Sequence, residues 1–269
     1  GQEGGKRPPY TLDVKARIGN SDPMFPIRDH NPSGRTPYVT FGLIALNALV
    51  FLGYWTSLQG YQIDRFFQIW GLVPAALTQG QGWATIMTSM FLHAGWLHLL
   101  GNMLFLWIFG DNLEDEMGHV GFLAFYLLSG LAAALAQVAT DPTSFVPMVG
   151  ASGAIAGVMG GYLLLYPKAR VDVLFIFIIF FRIFAIPAWI VLGLWFALQI
   201  FSGMSMPVDG GGVAYWAHAG GFAGGLVLAL PALMRRGGKD YWRRTEGHPP
   251  HPEAQYKLAK SSIPRVPRR

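Results

Sequence analysis

The sequence predicts an all-α membrane protein, a bundle of six transmembrane helices with both termini in the cytoplasm. The 269-residue chain is 52% hydrophobic but only 13% charged, whereas soluble domains contain about 25% charged residues. Its apolar residues gather in long runs, each near the roughly 17–25 residues that a helix needs to cross a bilayer. Its basic residues gather outside those runs.

The apolar runs define the spans. The six predicted spans are 38–55, 90–110, 119–139, 150–166, 185–201 and 213–234. Together they form a membrane domain over 38–234, between a polar N-terminal tail, 1–37, and a basic, proline-rich C-terminal tail, 235–269. Both tails are poor in apolar residues, so we expect neither to form a packed core. The N-terminal tail lacks an apolar stretch after a basic start, so we expect no cleavable signal peptide.

Two connections between the spans are unusual. The long first loop, 56–89, mixes aromatic and polar residues, as an interfacial segment would. The stretch 171–184 is very apolar, but it is short for a separate span and it contains Arg182. We interpret it as an apolar connection between the fourth and fifth spans.

The distribution of lysine and arginine predicts the topology. Of the 20 such residues, six lie in the N-terminal tail, three between the fourth and fifth spans and ten in the C-terminal tail. With six spans these three segments share one side, which the positive-inside rule assigns to the cytoplasm. A seventh span at 171–184 would separate the two tails, so six spans are favoured. We expect a multi-pass protein of the cell membrane, namely the inner membrane of a bacterium.

Four polar residues within the spans are predicted to lie at one depth. Ser152 is near the start of the fourth span, His218 lies five residues into the sixth, and His98 and Asn102 lie in the first half of the second. Because these three spans all run inward from the outer face, the four side chains fall in the outer part of the membrane. Polar groups are costly there, so their coincidence indicates a shared function.

These residue types match the needs of a serine hydrolase. A serine hydroxyl is a weak nucleophile that needs a base beside it, and histidine is the usual base. His98 and Asn102 are four residues apart on one helix face, from which both can donate hydrogen bonds to an oxyanion. Backbone N–H groups at the start of the fourth span, including that of Ser152, are unpaired at a helix N-terminus and can donate as well.

Glycines supply the close approach that this chemistry needs. Gly153, Gly157 and Gly161 repeat every four residues in the fourth span, and Gly221 and Gly225 are spaced alike in the sixth. Small residues at this spacing let helix backbones pack closely. A serine–histidine hydrogen bond of about 2.6–3.2 Å between helices requires such packing.

The polar residues also have other interpretations. A lone serine in a membrane helix is usually structural, and so is a lone His–Asn pair. A metal site is disfavoured, because the histidines lack HExxH spacing and a carboxylate at the same depth. We expect no metal, no other cofactor and no nucleic-acid partner, and the absence of cysteine excludes thiol chemistry. His93 is predicted to hold the first loop in place, and His119 to be structural.

Taken together and in order, the motifs resemble those of the rhomboid intramembrane serine proteases. They are "HxxxN" in the second span, "GASG" at the start of the fourth and "AHAGG" in the sixth, and the resemblance covers about 38–234, including "GDNLED" after the second span. It implies a prokaryotic-type six-span core and a Ser–His dyad, with Ser152 as the nucleophile and His218 as the general base.

The resemblance also implies roles for further residues. It implies that His98, Asn102 and the backbone N–H of Ser152 stabilise the oxyanion, and that Glu114 is a structural hydrogen-bonding residue. Some members of the family carry an aromatic residue one turn after the serine, which stacks on the histidine. Here that position is Ala156, so another residue must orient the imidazole.

The resemblance implies membrane-anchored substrates, typically single-pass proteins, that are cut within the bilayer near its outer boundary. It makes the fifth span the candidate for a lateral gate. The alternative is a catalytically inactive rhomboid-like protein that binds transmembrane clients, and the retention of both Ser152 and His218 argues against it. A small-solute channel would need a polar stripe reaching the cytoplasm, whereas the polar residues lie only in the outer half. The sequence does not predict the oligomeric state.

Overall fold

The structure, a computed structural model, describes residues 24–31, 33–177, 180–205 and 212–250. The helices in these ranges are α1 (Tyr38–Trp55), α2 (Tyr61–Trp70), α3 (Pro74–Thr78), α4 (Thr85–Thr88), α5 (Trp96–Met117), α6 (His119–Thr140), α7 (Ser152–Leu165), α8 (Ala188–Ser205), α9 (Tyr215–Arg235) and α10 (Lys239–Thr245). The strands are β1 (Met24–Asp29), β2 (Arg170–Phe177) and β3 (Phe180–Pro187). The chain is mostly helical, as predicted, but the strands correct the prediction of a purely helical fold.

Several of the long helices have the length and composition of membrane spans. α1, α6, α8 and α9 are each long and apolar enough to cross a bilayer. A fifth candidate is formed by the short helical segment Thr85–Phe91 together with α5, which are bent against each other by 95°. α7 is apolar but only 14 residues long. The protein is therefore a polytopic helical membrane protein with four or five candidate spans, and the count of six stays a prediction.

The second predicted span is placed differently by the structure. The sequence predicts 90–110, whereas α5 begins at Trp96 and ends at Met117. Gly95 adopts an extended backbone before the first turn, so residues 90–95 do not join the helix. At the other end the "GDNLED" residues continue the helix until Gly118, whose φ of 73° requires glycine. The polar motif thus lies in the last turns of α5.

Glu114 connects α5 to the start of α1. Its carboxylate accepts hydrogen bonds from the backbone N–H groups of Val39 (2.8 Å) and Thr40 (2.7 Å), and from the Thr40 hydroxyl. These N–H groups belong to the first turn of α1, where no intrahelical acceptor exists. His119 bonds to the same carboxylate at 2.5 Å. Glu114 therefore caps the first turn of α1.

The sheet was not predicted. β2 pairs antiparallel with β1 on one side and with β3 on the other. The apolar connection predicted at 171–184 therefore lies largely in the two antiparallel strands β2 and β3. Asp172 of β2 is buried and accepts hydrogen bonds from Arg28 (2.5 Å) and bonds to His30 (2.7 Å). A non-local pairing of this kind, 142 residues apart for His30 and Asp172, leaves no local signal in the sequence.

Both tails contribute to the packed structure, in contrast to the prediction that 1–37 and 235–269 lack a core. In the N-terminal tail, β1 joins the sheet, and Asp29 accepts hydrogen bonds from Tyr162 of α7 (2.9 Å) and Asn112 of α5 (2.8 Å). In the C-terminal tail, Tyr241 of α10 is buried, and Trp242 donates to the carbonyl of Leu164 (3.0 Å). Strand pairing and a carboxylate supply the contacts of the N-terminal tail, and two aromatic residues supply those of the C-terminal tail.

Candidate active site

The centre of the membrane domain is a close contact of three helices, α6, α7 and α9. A Cβ added at Gly221 of α9 would lie 2.0 Å from the carbonyl oxygen of Gly153, and one at Gly225 would lie 2.0 Å from that of Gly157. Side chains cannot occupy these positions, so the backbones of α7 and α9 touch directly. We call this contact the glycine seam.

The four-residue spacing of the α7 glycines suggested a single stripe that faces α9. In the structure these glycines do not all face that helix. A Cβ at Gly153 would meet Ala133 of α6, and one at Gly157 would meet Ser129 of the same helix. Gly160, which stands outside the four-residue repeat, faces the carbonyl oxygen of Phe222 in α9. The small residues of α7 therefore admit two neighbouring helices.

The seam brings Ser152 and His218 together. Ser152 is the first residue of α7, and His218 lies in the first turn of α9. The Ser152 Oγ and the His218 Nε2 are 2.7 Å apart, which is within hydrogen-bonding distance. Both residues thus lie at helix starts on the same side of the seam, and their common depth in a membrane stays a prediction.

His98 reaches the same place from α5. A Cβ added at Gly150 would lie 2.8 Å from His98 Nε2 and 3.5 Å from Ser152 Oγ, so the imidazole and the hydroxyl flank one glycine. Gly150 has a φ of 135°, and this conformation also requires glycine. The first glycine of "GASG" is thus explained by both the backbone and the space that His98 fills.

The tautomer of His98 follows from its other nitrogen. The backbone N–H of Ala94 donates to His98 Nδ1 (3.3 Å). This nitrogen is therefore an acceptor, and a neutral imidazole then carries its proton on Nε2. The N–H of His98 is directed toward Gly150 and Ser152, where it can serve as a hydrogen-bond donor.

Asn102 lies one turn beyond His98 on α5 and is buried. Its side-chain amide donates to the carbonyl oxygen of His98 at 2.7 Å. The amide carries a second N–H. Its predicted contribution to an oxyanion site stays a prediction.

The sequence did not identify the partner of the remaining His218 nitrogen. The Nδ1 atom is 2.9 Å from the Oε1 of Gln199, a residue of α8 with 9% of its surface exposed. The indole of Trp195, one turn earlier, lies with its ring centre 5.7 Å from that of His218. Ala156 is buried and small, so α8 supplies the contacts that α7 lacks. A single glutamine in a helix whose other polar residues are two serines near its end was the available signal.

His93 is completely buried beside His98, with ring centres 5.1 Å apart. Its backbone is held by Tyr54 of α1, whose hydroxyl accepts from the His93 N–H (2.8 Å) and donates to its carbonyl (2.5 Å). This backbone contact fixes the segment before α5 against α1, and the role predicted for the His93 side chain stays a prediction.

The arrangement has a defined chemical capacity. A histidine with a proton on Nδ1 presents the lone pair of Nε2 to the serine hydroxyl, and it can accept the proton when the oxygen attacks a carbonyl carbon. The N–H of His98 and the first backbone N–H groups of α7 are hydrogen-bond donors near Ser152.

Residues 79–235 match the family model described as "Rhomboid domain". The match covers more than half of the chain, and the protein therefore belongs to the rhomboid family.

Curated relatives agree with this assignment. The chain is 35% identical over 127 residues to the "Putative rhomboid protease YdcA" of Bacillus subtilis, covering 47% of this chain and 61% of the relative. It is 32% identical over 150 residues to "Rhomboid-like protein 11, chloroplastic" of Arabidopsis thaliana, covering 54% and 50%. It is 29% identical over 195 residues to "Rhomboid protein 1, mitochondrial" of Saccharomyces cerevisiae, covering 70% and 51%. The chain thus spans about half to three fifths of the length of these relatives.

Proposed function

We propose that the protein is an intramembrane serine endopeptidase that cleaves single-pass transmembrane proteins. The observation that carries the proposal is the 2.7 Å contact between Ser152 Oγ and His218 Nε2. Membership of the rhomboid family supports an intramembrane protease or a rhomboid-like function. The name of the B. subtilis relative includes "protease".

In the proposed reaction, Ser152 Oγ attacks the carbonyl carbon of the scissile peptide and His218 Nε2 takes the hydroxyl proton. The tetrahedral oxyanion accepts hydrogen bonds from His98 Nε2, from the second amide N–H of Asn102 and from the backbone N–H of Ser152. The protonated His218 then gives its proton to the leaving amine. Water hydrolyses the acyl-enzyme by the same route, with His218 as the base.

The protein is proposed to act near the outer boundary of a cell membrane, in a bacterium the inner membrane, with both termini in the cytoplasm. The basic residues outside the predicted spans support this orientation. Its partners would be transmembrane substrates and the bilayer itself. The domain boundaries 38–234, flanked by the two tails, are part of this proposal.

The experiment compares purified wild-type protein with Ser152→Ala and His218→Ala in detergent micelles. The readouts are covalent labelling by a fluorophosphonate probe and cleavage of a panel of single-pass proteins, with cut sites mapped by mass spectrometry. We expect each variant to lose about 10⁴-fold or more of the activity, while its thermal unfolding stays cooperative.

Ser129→Ala is the matched control, because Ser129 is also a buried serine beside α7. It should label and cleave as the wild type does. A wild-type protein that is folded yet neither labels nor cleaves would instead indicate the inactive, client-binding alternative. Cleavage by Ser152→Ala at the wild-type rate would refute the proposed nucleophile.

A further inference from the structure

Gln199 has a fixed orientation beside His218. Its Nε2 donates to the backbone carbonyl of Trp195 at 3.3 Å, and a carbonyl oxygen can only accept. The amide oxygen is therefore the atom that faces His218 Nδ1 at 2.9 Å. The helix of Gln199 itself decides which end of the amide meets the imidazole.

This orientation propagates to the serine. Because Oε1 can only accept, Nδ1 of a neutral His218 must carry the ring proton. The lone pair then lies on Nε2, 2.7 Å from the Ser152 hydroxyl. The opposite tautomer would place an N–H against the serine and leave Nδ1 without a donor. A polar chain thus runs from the Trp195 carbonyl through Gln199 and His218 to Ser152.

Few charged groups surround this row of polar groups. α7, α8 and the first five turns of α9 contain no Asp, Glu, Lys or Arg. The titratable residue facing His218 from α5 is His98. The third position of a Ser–His–acid triad is therefore occupied here by a neutral amide, which can direct the imidazole proton without supplying a negative charge.

The amide comes from a helix that is less enclosed than its neighbours. In α8 the buried residues are Ala188, Leu192 and Gln199, which lie on the side of the helix toward the domain. Other residues of α8, such as Leu198 and Phe201, are exposed. A displacement of α8 would separate Gln199 from His218 without touching the glycine seam.

We propose that Gln199 is a positioning residue that fixes the reactive tautomer of His218. Because Gln199 belongs to α8, the choice of tautomer then depends on the position of α8 beside α9. This inference rests on the proposed function, because it assigns Gln199 a task in the same site. When α8 is docked, the imidazole is aligned as a base. When α8 moves away, Ser152 and His218 stay adjacent while the tautomer is no longer selected.

The test uses the rate of fluorophosphonate labelling at Ser152 in the full-length protein, resolved into kinact and KI over pH 5–9. Gln199→Leu removes the acceptor at a similar size, and we expect kinact to fall about 10- to 100-fold with KI changed less than about twofold. Gln199→Glu restores an acceptor, and we expect it to recover most of kinact. A carboxylate at this position stabilises the protonated imidazole. The acidic limb of the pH profile of kinact should therefore lie at higher pH in Gln199→Glu than in the wild type.

Leu198→Ala is the control for a disturbance of α8, because this neighbour is exposed, and it should label as the wild type does. Wild-type kinact in Gln199→Leu would overturn the inference. If that variant does not fold, the pH profile of Gln199→Glu decides, and a profile superimposable on the wild type overturns it. Failure of the proposed function is a separate result, in which the wild-type protein itself does not label.

Discussion

The glycine seam and α8 hold the same histidine in two different ways. Across the seam, helix backbones meet without intervening side chains, and 44% of the residues in the apolar part of α9 are buried inside the protein. In α8 the corresponding share is 17%, and its contacts with α9 are made by side chains such as the stacked pair Phe196–Phe222. The distance between Ser152 and His218 thus depends on backbone packing. The orientation of the imidazole depends instead on its side-chain contact with Gln199 of α8.

The largest expected effect is at the seam itself. In Gly221→Ala the new methyl group would lie 2.0 Å from the carbonyl oxygen of Gly153, which only a backbone shift can relieve. We expect the free energy of unfolding to fall by about 3 kcal/mol or more, and labelling at Ser152 to be lost. Thermal unfolding in detergent and probe labelling measure the two effects.

Gly193→Ala on α8 is the matched control, because a Cβ at this position would meet no atom within 4 Å other than those of its chain neighbours and of the nearby backbone of α8. Alanine is the better helix former, so stability should stay within about 1 kcal/mol or rise. Equal losses in the two variants would mean that the seam and α8 do not differ as described.

A smaller effect is expected within α8. Leu192 is fully buried, whereas 48% of the Leu194 surface is exposed. We expect Leu192→Ala to lower the free energy of unfolding by about 2 kcal/mol, because it leaves a cavity against the domain. Leu194→Ala should change it by about 0.5 kcal/mol or less. A chemical unfolding titration measures both changes. If the two variants lost similar free energies of unfolding, α8 would not pack against the protein through one face as described.

The last effect, the smallest when it is counted for each pH unit, concerns the far end of α7, where Tyr162 donates to Asp29. Burial, and next the negative charge of Asp111, raise the pKa of the Asp29 carboxyl from 3.8 to about 8. Between about pH 4 and pH 8 the folded protein holds a proton that the unfolded chain has released. The contribution of this group to the free energy of unfolding is therefore present at low pH and is lost as the pH rises through that window. The loss is no more than about 1.4 kcal/mol for each pH unit.

Asp29→Asn keeps an oxygen that can accept from Tyr162 and Asn112, but it does not titrate. We expect its unfolding temperature to fall less than that of the wild type between pH 5 and pH 8.5. Asp64→Asn, at an exposed site on α2, should keep the wild-type pH dependence. If Asp29→Asn and the wild type change in parallel, the carboxyl does not titrate in the folded state as described.

The sequence was most informative where one helix carries its own signal. The apolar runs predicted α1 and α6 within a residue, and the motifs selected Ser152, His218 and His98, which the structure brings together. The start of α5 was misplaced, because apolar character continues through a bend at Gly95 that composition does not register. The seam was foreseen from the glycine spacing, but the partner of each glycine depends on helix rotation, which the spacing leaves open.

Features formed by distant segments were harder to predict. β1 is six residues long and pairs with β2 far along the chain, so neither strand predicts the other. Gln199 was overlooked because nothing local indicates that α8 turns this side chain toward α9. Its signal, one amide in an apolar helix, identifies a buried polar contact without naming the partner.

The contact between Asp29 and Tyr162 also has a consequence for biosynthesis. The two residues are 133 positions apart, and ribosomes add about 5–20 residues per second. Roughly 7–27 s therefore pass between the synthesis of the β1 strand and that of its partner on α7. Among the strands that the structure describes, β1 is thus synthesised first, yet it can pair with β2 only after all the helices from α1 to α7 have been synthesised.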